Sequence, residues 1–171
     1  MERIQSAIAK ARAERHGQKA APAAAPRPVA PAEVAQPSAR VDAAWAALKP
    51  VSLDPAQMRH NRIVAFAGGP DATAYGVLRT RVLQQIRQHG WKRIGITSPS
   101  AGCGKTTTAL NLGFSLARQA ETRTILAELD MRRPAFVRML GAQNETSFAE
   151  VLEGTADFAT AALCHGGNFA I

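Results

Sequence analysis

One segment of the chain has the composition of an anion grip: I-T-S-P-S-A-G-C-G-K-T-T-T at residues 96–108. Holding phosphate takes glycines, so that backbone N–H groups can curl round the anion. It also takes a helix N-terminus whose dipole favours negative charge, and a lysine that reaches the outer phosphates. Gly102, Gly104 and Lys105 answer those needs in chain order. Ser100, Ala101 and Cys103 complete the loop, and Thr106 and Thr107 follow the lysine with hydroxyls. Thr106 is the expected Mg2+ ligand, because a hard cation bridging phosphates takes oxygen donors and keeps several waters. Thr107 is placed to hydrogen-bond a phosphate. The expected ligand is therefore ATP with Mg2+, its phosphates held by residues 97–106. The strict pattern G-x-x-x-x-G-K-[ST] puts a glycine at residue 99, where Pro99 stands, so the loop departs from the pattern at its first position.

A second chemical segment follows in T-I-L-A-E-L-D-M-R-R-P, residues 124–134. An apolar strand ends there in Glu128 and Asp130, two residues apart and so facing the same way. Carboxylates at the carboxyl end of a parallel strand lie where an α/β sheet binds ligands. Such groups can hold Mg2+ or accept a proton from an attacking hydroxyl. The expected catalytic set is Lys105, Glu128 and Asp130, and the expected metal set is Thr106, Glu128 and Asp130. A plainer reading makes Glu128 and Asp130 a local ion-pair cluster with Arg132 and Arg133.

These residues need elements to position them. Residues 91–97 alternate in the β manner, with Ile94 and Ile96 on one side, and residues 105–119 resume a helical period through Leu110, Phe114 and Ala117. Strand, loop and helix thus come in the order a phosphate loop requires. Before them, residues 61–66 read as a short strand and residues 68–71 as a turn, with Asp71 capping a helix marked by Tyr75, Leu78, Val82 and Ile86 and ended by Gly90. After them, residues 122–129 read as a strand and residues 136–140 as a short helix. Ser147 and Glu150 form a capping box for a helix closing at Gly154, a last short helix covers residues 157–163, and a strand begins at residues 168–171. Strands alternating with helices predict an α/β fold with a mainly parallel sheet.

At 171 residues the chain has room for one domain and appendages. Residues 1–18 are expected to form a basic amphipathic helix, and residues 19–40 an Ala/Pro-rich linker in which fourteen of the 21 residues from 20 to 40 are Ala or Pro. A short helix around Trp45, residues 41–48, opens the domain at 41–171. The net charge is +8, but residues 1–61 carry nine Lys+Arg against five acids and residues 62–171 carry twelve against eight. Charge that evenly spread argues against a nucleic-acid partner. No run approaches the roughly 18 apolar residues of a spanning helix, and no signal-peptide block opens the chain, so a cytoplasmic protein without a transmembrane segment is expected. Cys103 and Cys164 are too few for a disulfide framework.

Three segments together, L-R-T-R at residues 78–81, I-T-S-P-S-A-G-C-G-K-T-T-T-A-L-N-L-G at 96–113 and L-A-E-L-D-M-R-R-P at 126–134, resemble the bacterial tyrosine kinases of capsule and exopolysaccharide biosynthesis. The resemblance spans residues 60–171 and implies a three-layer P-loop NTPase-type domain that uses MgATP to phosphorylate tyrosines, largely its own. It gives Lys105 and Thr106 the phosphate and Mg2+ roles and makes Asp130 the second aspartate of the Walker A-prime motif, the candidate for activating the tyrosine hydroxyl. Glu128 stands where the family usually has Asp. The family's E-x-x-R-x-x-R assembly motif aligns with Thr73, Gly76 and Arg79, of which only Arg79 matches. The implied partner is the cytoplasmic part of a membrane polysaccharide co-polymerase, with self-association, at the inner membrane. The family's Walker B strand and tyrosine cluster are expected beyond residue 171, which reads as a domain truncated before Walker B and leaves the P-loop strand short of a neighbour. Two other classes stay open: a partition or positioning ATPase of the ParA/MinD type, against which Ser100 counts because those proteins resemble a pattern with lysine there, and a non-catalytic nucleotide-binding scaffold.

Overall fold

The protein is described by a computed structural model over residues 37–144 and 146–171. The expected basic helix and most of the expected linker lie outside the described residues.

The first helix among the described residues, α1 (Pro37–Ala46), begins four residues earlier than its sequence pattern suggests. Proline is at home in the first turn, where its missing N–H would have no acceptor anyway, so Pro37 opens the helix and does not extend the linker. β1 (Lys49–Pro50) and α2 (Pro55–His60) follow, the latter capped by Asp54, whose side chain accepts from the Ala56 N–H.

The strand expected at residues 61–66 is instead a turn leading into the short helix α3 (Val64–Ala67). Ile63 and Ala65 are both buried, and the Ala65 N–H donates to the Asn111 side chain rather than to a strand. A short apolar run fits either geometry, and here the neighbouring helix decided it. Asp71 does not cap the next helix. It sits inside a 3-10 turn (Pro70–Ala72), and the N-cap of α4 (Thr73–His89) is Ala72, without a side-chain bond. The C-terminus of α4 is as expected, with Gly90 left-handed at φ +67°.

α5 (Lys105–Ala117) is the centre of the fold. Eight consecutive residues from Ala109 to Leu116 are buried, so the helix is covered all round rather than on one stripe. It packs against α3, α4 and the sheet. β2 (Thr124–Ile125) pairs over two residues of the expected longer strand, and α6 (Phe136–Leu140) and α7 (Phe148–Glu153) fall where the sequence placed them, α7 with its reciprocal Ser147–Glu150 capping box. α8 (Phe158–Ala161) leads into β3 (Leu163–His165) and β4 (Phe169–Ala170).

The sheet order is β1-β3-β4-β2. β1 runs parallel to β3 and β2 to β4, whereas β3 and β4 are antiparallel, joined by a turn holding Gly166 and Gly167 at φ +63° and +79°. The fold is therefore α/β with a small mixed open sheet, in which two parallel pairings, as expected, are joined by one antiparallel pairing that was not. Phe169, fully buried, stands edge-on to Phe114 of α5 at 5.0 Å, and Gly113 makes room for it.

Residues 91–97 do not form a strand. They carry no ladder, and Trp91, Ile94 and Ile96 are exposed. A strand exists only through hydrogen bonds to a neighbour, and none of the described residues supplies one here.

Candidate functional site

The loop at residues 98–104 is shaped by its two glycines and by its own short side chains. Gly102 and Gly104 both have φ +78°, a left-handed conformation that a side chain would strain, although a Cβ at either would meet nothing within 4 Å. The requirement for glycine is thus in the backbone, and the space above it is open. The Ser98 hydroxyl donates to the Ser100 carbonyl at 2.8 Å, and the Ser100 hydroxyl lies 3.1 Å from the Cys103 thiol, closing the turn on itself. Residues 99–104 are exposed, whereas Lys105, Thr106 and Thr107 are half-buried where α5 enters the core.

Gly104 is the N-cap of α5 and offers no side-chain oxygen. Helix geometry leaves the first amides of α5 without intrahelical acceptors, so they face the loop as donors for an anion.

The acidic segment after β2, expected as the end of a longer strand but outside any ladder here, meets this loop at one point. The Lys105 ammonium pairs with Asp130 Oδ2 at 2.8 Å, both side chains about one-third exposed. Asp130 Oδ1 accepts from the Arg133 N–H at 3.2 Å. The hydrogen bond from Lys105, more than any other influence, holds the Asp130 carboxyl below its ordinary value of 3.8, against some desolvation. Exposure alternates residue by residue from 121 to 130, which places Glu128 and Asp130 on the same face as expected.

Glu128 nevertheless turns elsewhere. Its Oε1 accepts from the Ala135 N–H at 2.7 Å and its Oε2 from the Phe136 N–H at 2.9 Å, at the start of α6. The structure therefore brings Lys105 and Asp130 together and ties Glu128 to α6. Among the described residues, neither acid forms an ion pair with Arg132 or Arg133.

The sequence reading missed the residues that brace α5. Asn111 is fully buried: its Oδ1 accepts from the Ala65 N–H at 2.9 Å, and its Nδ2 donates to the carbonyls of Arg62 and Thr107 at 2.9 and 2.8 Å. Its signal was an amide amid the apolar run A-L-N-L-G. Arg79, aligned with the assembly motif, donates to the Ser115 carbonyl at 3.0 Å, and the Ser115 hydroxyl donates to the Tyr75 carbonyl. Both residues thereby fasten α4 to α5. Tyr75 is half-buried against the core, in keeping with a packing role.

The loop suits a nucleotide's phosphates: positive-φ glycines under open space, helix amides and one lysine. Among the described residues no group of three His, Cys, Asp or Glu side chains could hold a metal by itself. A Mg2+ ion would need phosphate oxygens beside Thr106 and Asp130, as this hard cation ordinarily does. Two concavities of about 550 and 440 Å3 lie elsewhere, one between α4 and residues 91–95, the other under β2 and α6, and neither includes the loop.

Comparison with known proteins gives two relatives. CpsD of Streptococcus pneumoniae serotype 4, a tyrosine-protein kinase, is 36% identical over 93 residues, covering 54% of this chain and 37% of CpsD. AmsA of Erwinia amylovora, named as a candidate tyrosine-protein kinase, is 30% identical over 103 residues, covering 59% of this chain and 14% of AmsA. The curated relatives are bacterial tyrosine kinases, as the sequence motifs suggested, and the chain spans well under half the length of each. No family model matches the chain. No solved structure matches it.

Proposed function

We propose, from the likeness to the bacterial tyrosine kinases together with the site geometry, that the chain binds MgATP at residues 98–107 as the nucleotide-binding part of a protein-tyrosine autokinase regulating exopolysaccharide or capsule export. The observation that carries this reading is the 2.8 Å pair between Lys105 and Asp130, which joins the phosphate loop to the acidic end of the neighbouring segment. In phosphoryl transfer the protein contributes mainly positioning and charge. Lys105 would reach the outer phosphates and the loop amides the inner ones, Thr106 and Asp130 would hold the Mg2+, and Asp130 would accept the proton of the attacking tyrosine hydroxyl. Mg2+, when bound, would neutralise phosphate charge. The three-layer P-loop NTPase arrangement and attachment to the inner membrane through a co-polymerase's cytoplasmic part belong to the same proposal. Among the described residues, no helix is long and apolar enough to cross a membrane.

The test is direct. The chain is incubated with MgATP and a Glu/Tyr copolymer as acceptor, because Tyr75, its one tyrosine, is packed into the fold. Phosphotyrosine formed by the wild type and lost in Lys105→Met supports the kinase. A second reading, a nucleotide-binding scaffold without catalysis, is favoured by Glu128 lying on the α6 amides. It expects MgATP binding with no phosphotyrosine. ATP-driven dimerisation without phosphorylation would instead point to the partition-type ATPase, which Ser100 disfavours.

A further inference from the structure

We propose that Glu128 is a positioning residue that fixes Asp130 opposite Lys105, and not a metal ligand. The role rests on the nucleotide-site reading above, but the geometry behind it stands alone. Pro134 has no N–H, so the first donors at the start of α6 are the amides of Ala135 and Phe136. Ala135, the N-cap, has no side-chain oxygen to satisfy them. Glu128 supplies that cap from seven and eight residues back, one oxygen to each amide, at 2.7 and 2.9 Å. Both bonds are charge-assisted and partly buried, which makes them the strong kind. They close residues 128–136 into a loop. Inside the same loop the Arg133 N–H donates to Asp130 Oδ1, which leaves Oδ2 directed to Lys105.

Chain length explains the glutamate. An aspartate at residue 128 is shorter by one methylene and cannot span the same gap without moving the loop, whereas as a metal ligand it would be the residue that the resemblance implies. The two roles therefore make opposite demands on Glu128→Asp.

Two measurements on the full chain separate them. The first is amide exchange at Ala135 and Phe136. In the wild type both are protected, and in Glu128→Asp and Glu128→Gln they exchange roughly tenfold faster, the size expected for losing a charge-assisted bond. Adding MgATP leaves the wild-type protection in place. Unprotected wild-type amides, or amides released by MgATP, would overturn the proposal, the latter because Mg2+ would then have drawn Glu128 away.

The second is a double-mutant cycle on the affinity for a fluorescent ATP analogue with Mg2+. Glu128→Gln is expected to weaken binding several-fold in the wild-type background and to have no further effect beside Asp130→Asn, because it acts through Asp130. A loss that persists in the Asp130→Asn background, or tighter binding by Glu128→Asp, would show direct metal ligation. If the folded wild type binds no nucleotide at all, the proposed function fails while the exchange measurement still decides the clamp.

Discussion

In the proposed site Lys105 and Asp130 divide the chemistry between them, and each role can be tested by a single substitution. The Asp130 carboxyl is held low by the hydrogen bond from Lys105. A carboxyl lowered on folding contributes stability that is present above its ordinary value and lost as pH falls through its folded value. The pair is therefore intact at pH 5 and above, and nucleotide affinity between pH 5 and 8 should show no inflection from Asp130. An inflection that disappears in Asp130→Asn would contradict this. Much of this scale was legible. Gly102, Gly104 and Lys105 announced the loop, and the two-residue spacing placed Glu128 and Asp130 on one face. The sequence could not say that Glu128 would reach α6, because the shortage of capping oxygen at Ala135 becomes visible only once the loop closes.

The elements around the site are set by α5, whose buried length leaves little tolerance. A Cβ on Gly113 would lie 2.5 Å from the Phe169 ring, so Gly113→Ala must displace a fully buried aromatic. The expected cost is about 1–3 kcal/mol, read as a lower denaturant midpoint. Asn111→Leu keeps the bulk but leaves the Ala65 N–H without its acceptor, at about 1–3 kcal/mol by the same measurement. A neutral result for either would show that α5 is seated differently. Elements with local signals were legible: the Gly90 end of α4, the period of α5 and the capping box of α7 all lie where the residues put them. Elements defined by partners were not. Residues 61–66 are apolar enough for either geometry, and Asn111 drew them into a turn and helix. Residues 91–97 have the alternation of a strand but no ladder among the described residues. The β3–β4 hairpin left one trace, Gly166-Gly167, a recognised turn signal that the sequence reading did not use.

Across the described residues, the order β1-β3-β4-β2 arises because the local β3–β4 hairpin takes β1 and β2 as parallel neighbours on its two sides, long-range pairings that alternating helices and strands do not specify. One titration reports on that packing. His165, at the end of β3, lies 5.5 Å from the Phe66 ring and 5.6 Å from the Phe114 ring, and burial lowers its pKa below the ordinary 6.5. A histidine lowered on folding is kept neutral, so the unfolded chain binds more protons and stability falls as pH drops below about 6.5. The urea midpoint should fall between pH 7.5 and 5.5, and less steeply in His165→Phe. Equal slopes in the two proteins would show that His165 is not confined by the sheet.

The central claim is that residues 98–107 cradle the phosphates of a nucleotide, and calorimetric titration of MgATP into the folded chain, beside Lys105→Met, tests it most directly. Saturable binding at one site, weakened about tenfold or more by removal of the lysine's charge, is the expected result. Absence of saturable binding in folded wild-type protein, or equal affinity in the variant, would contradict it.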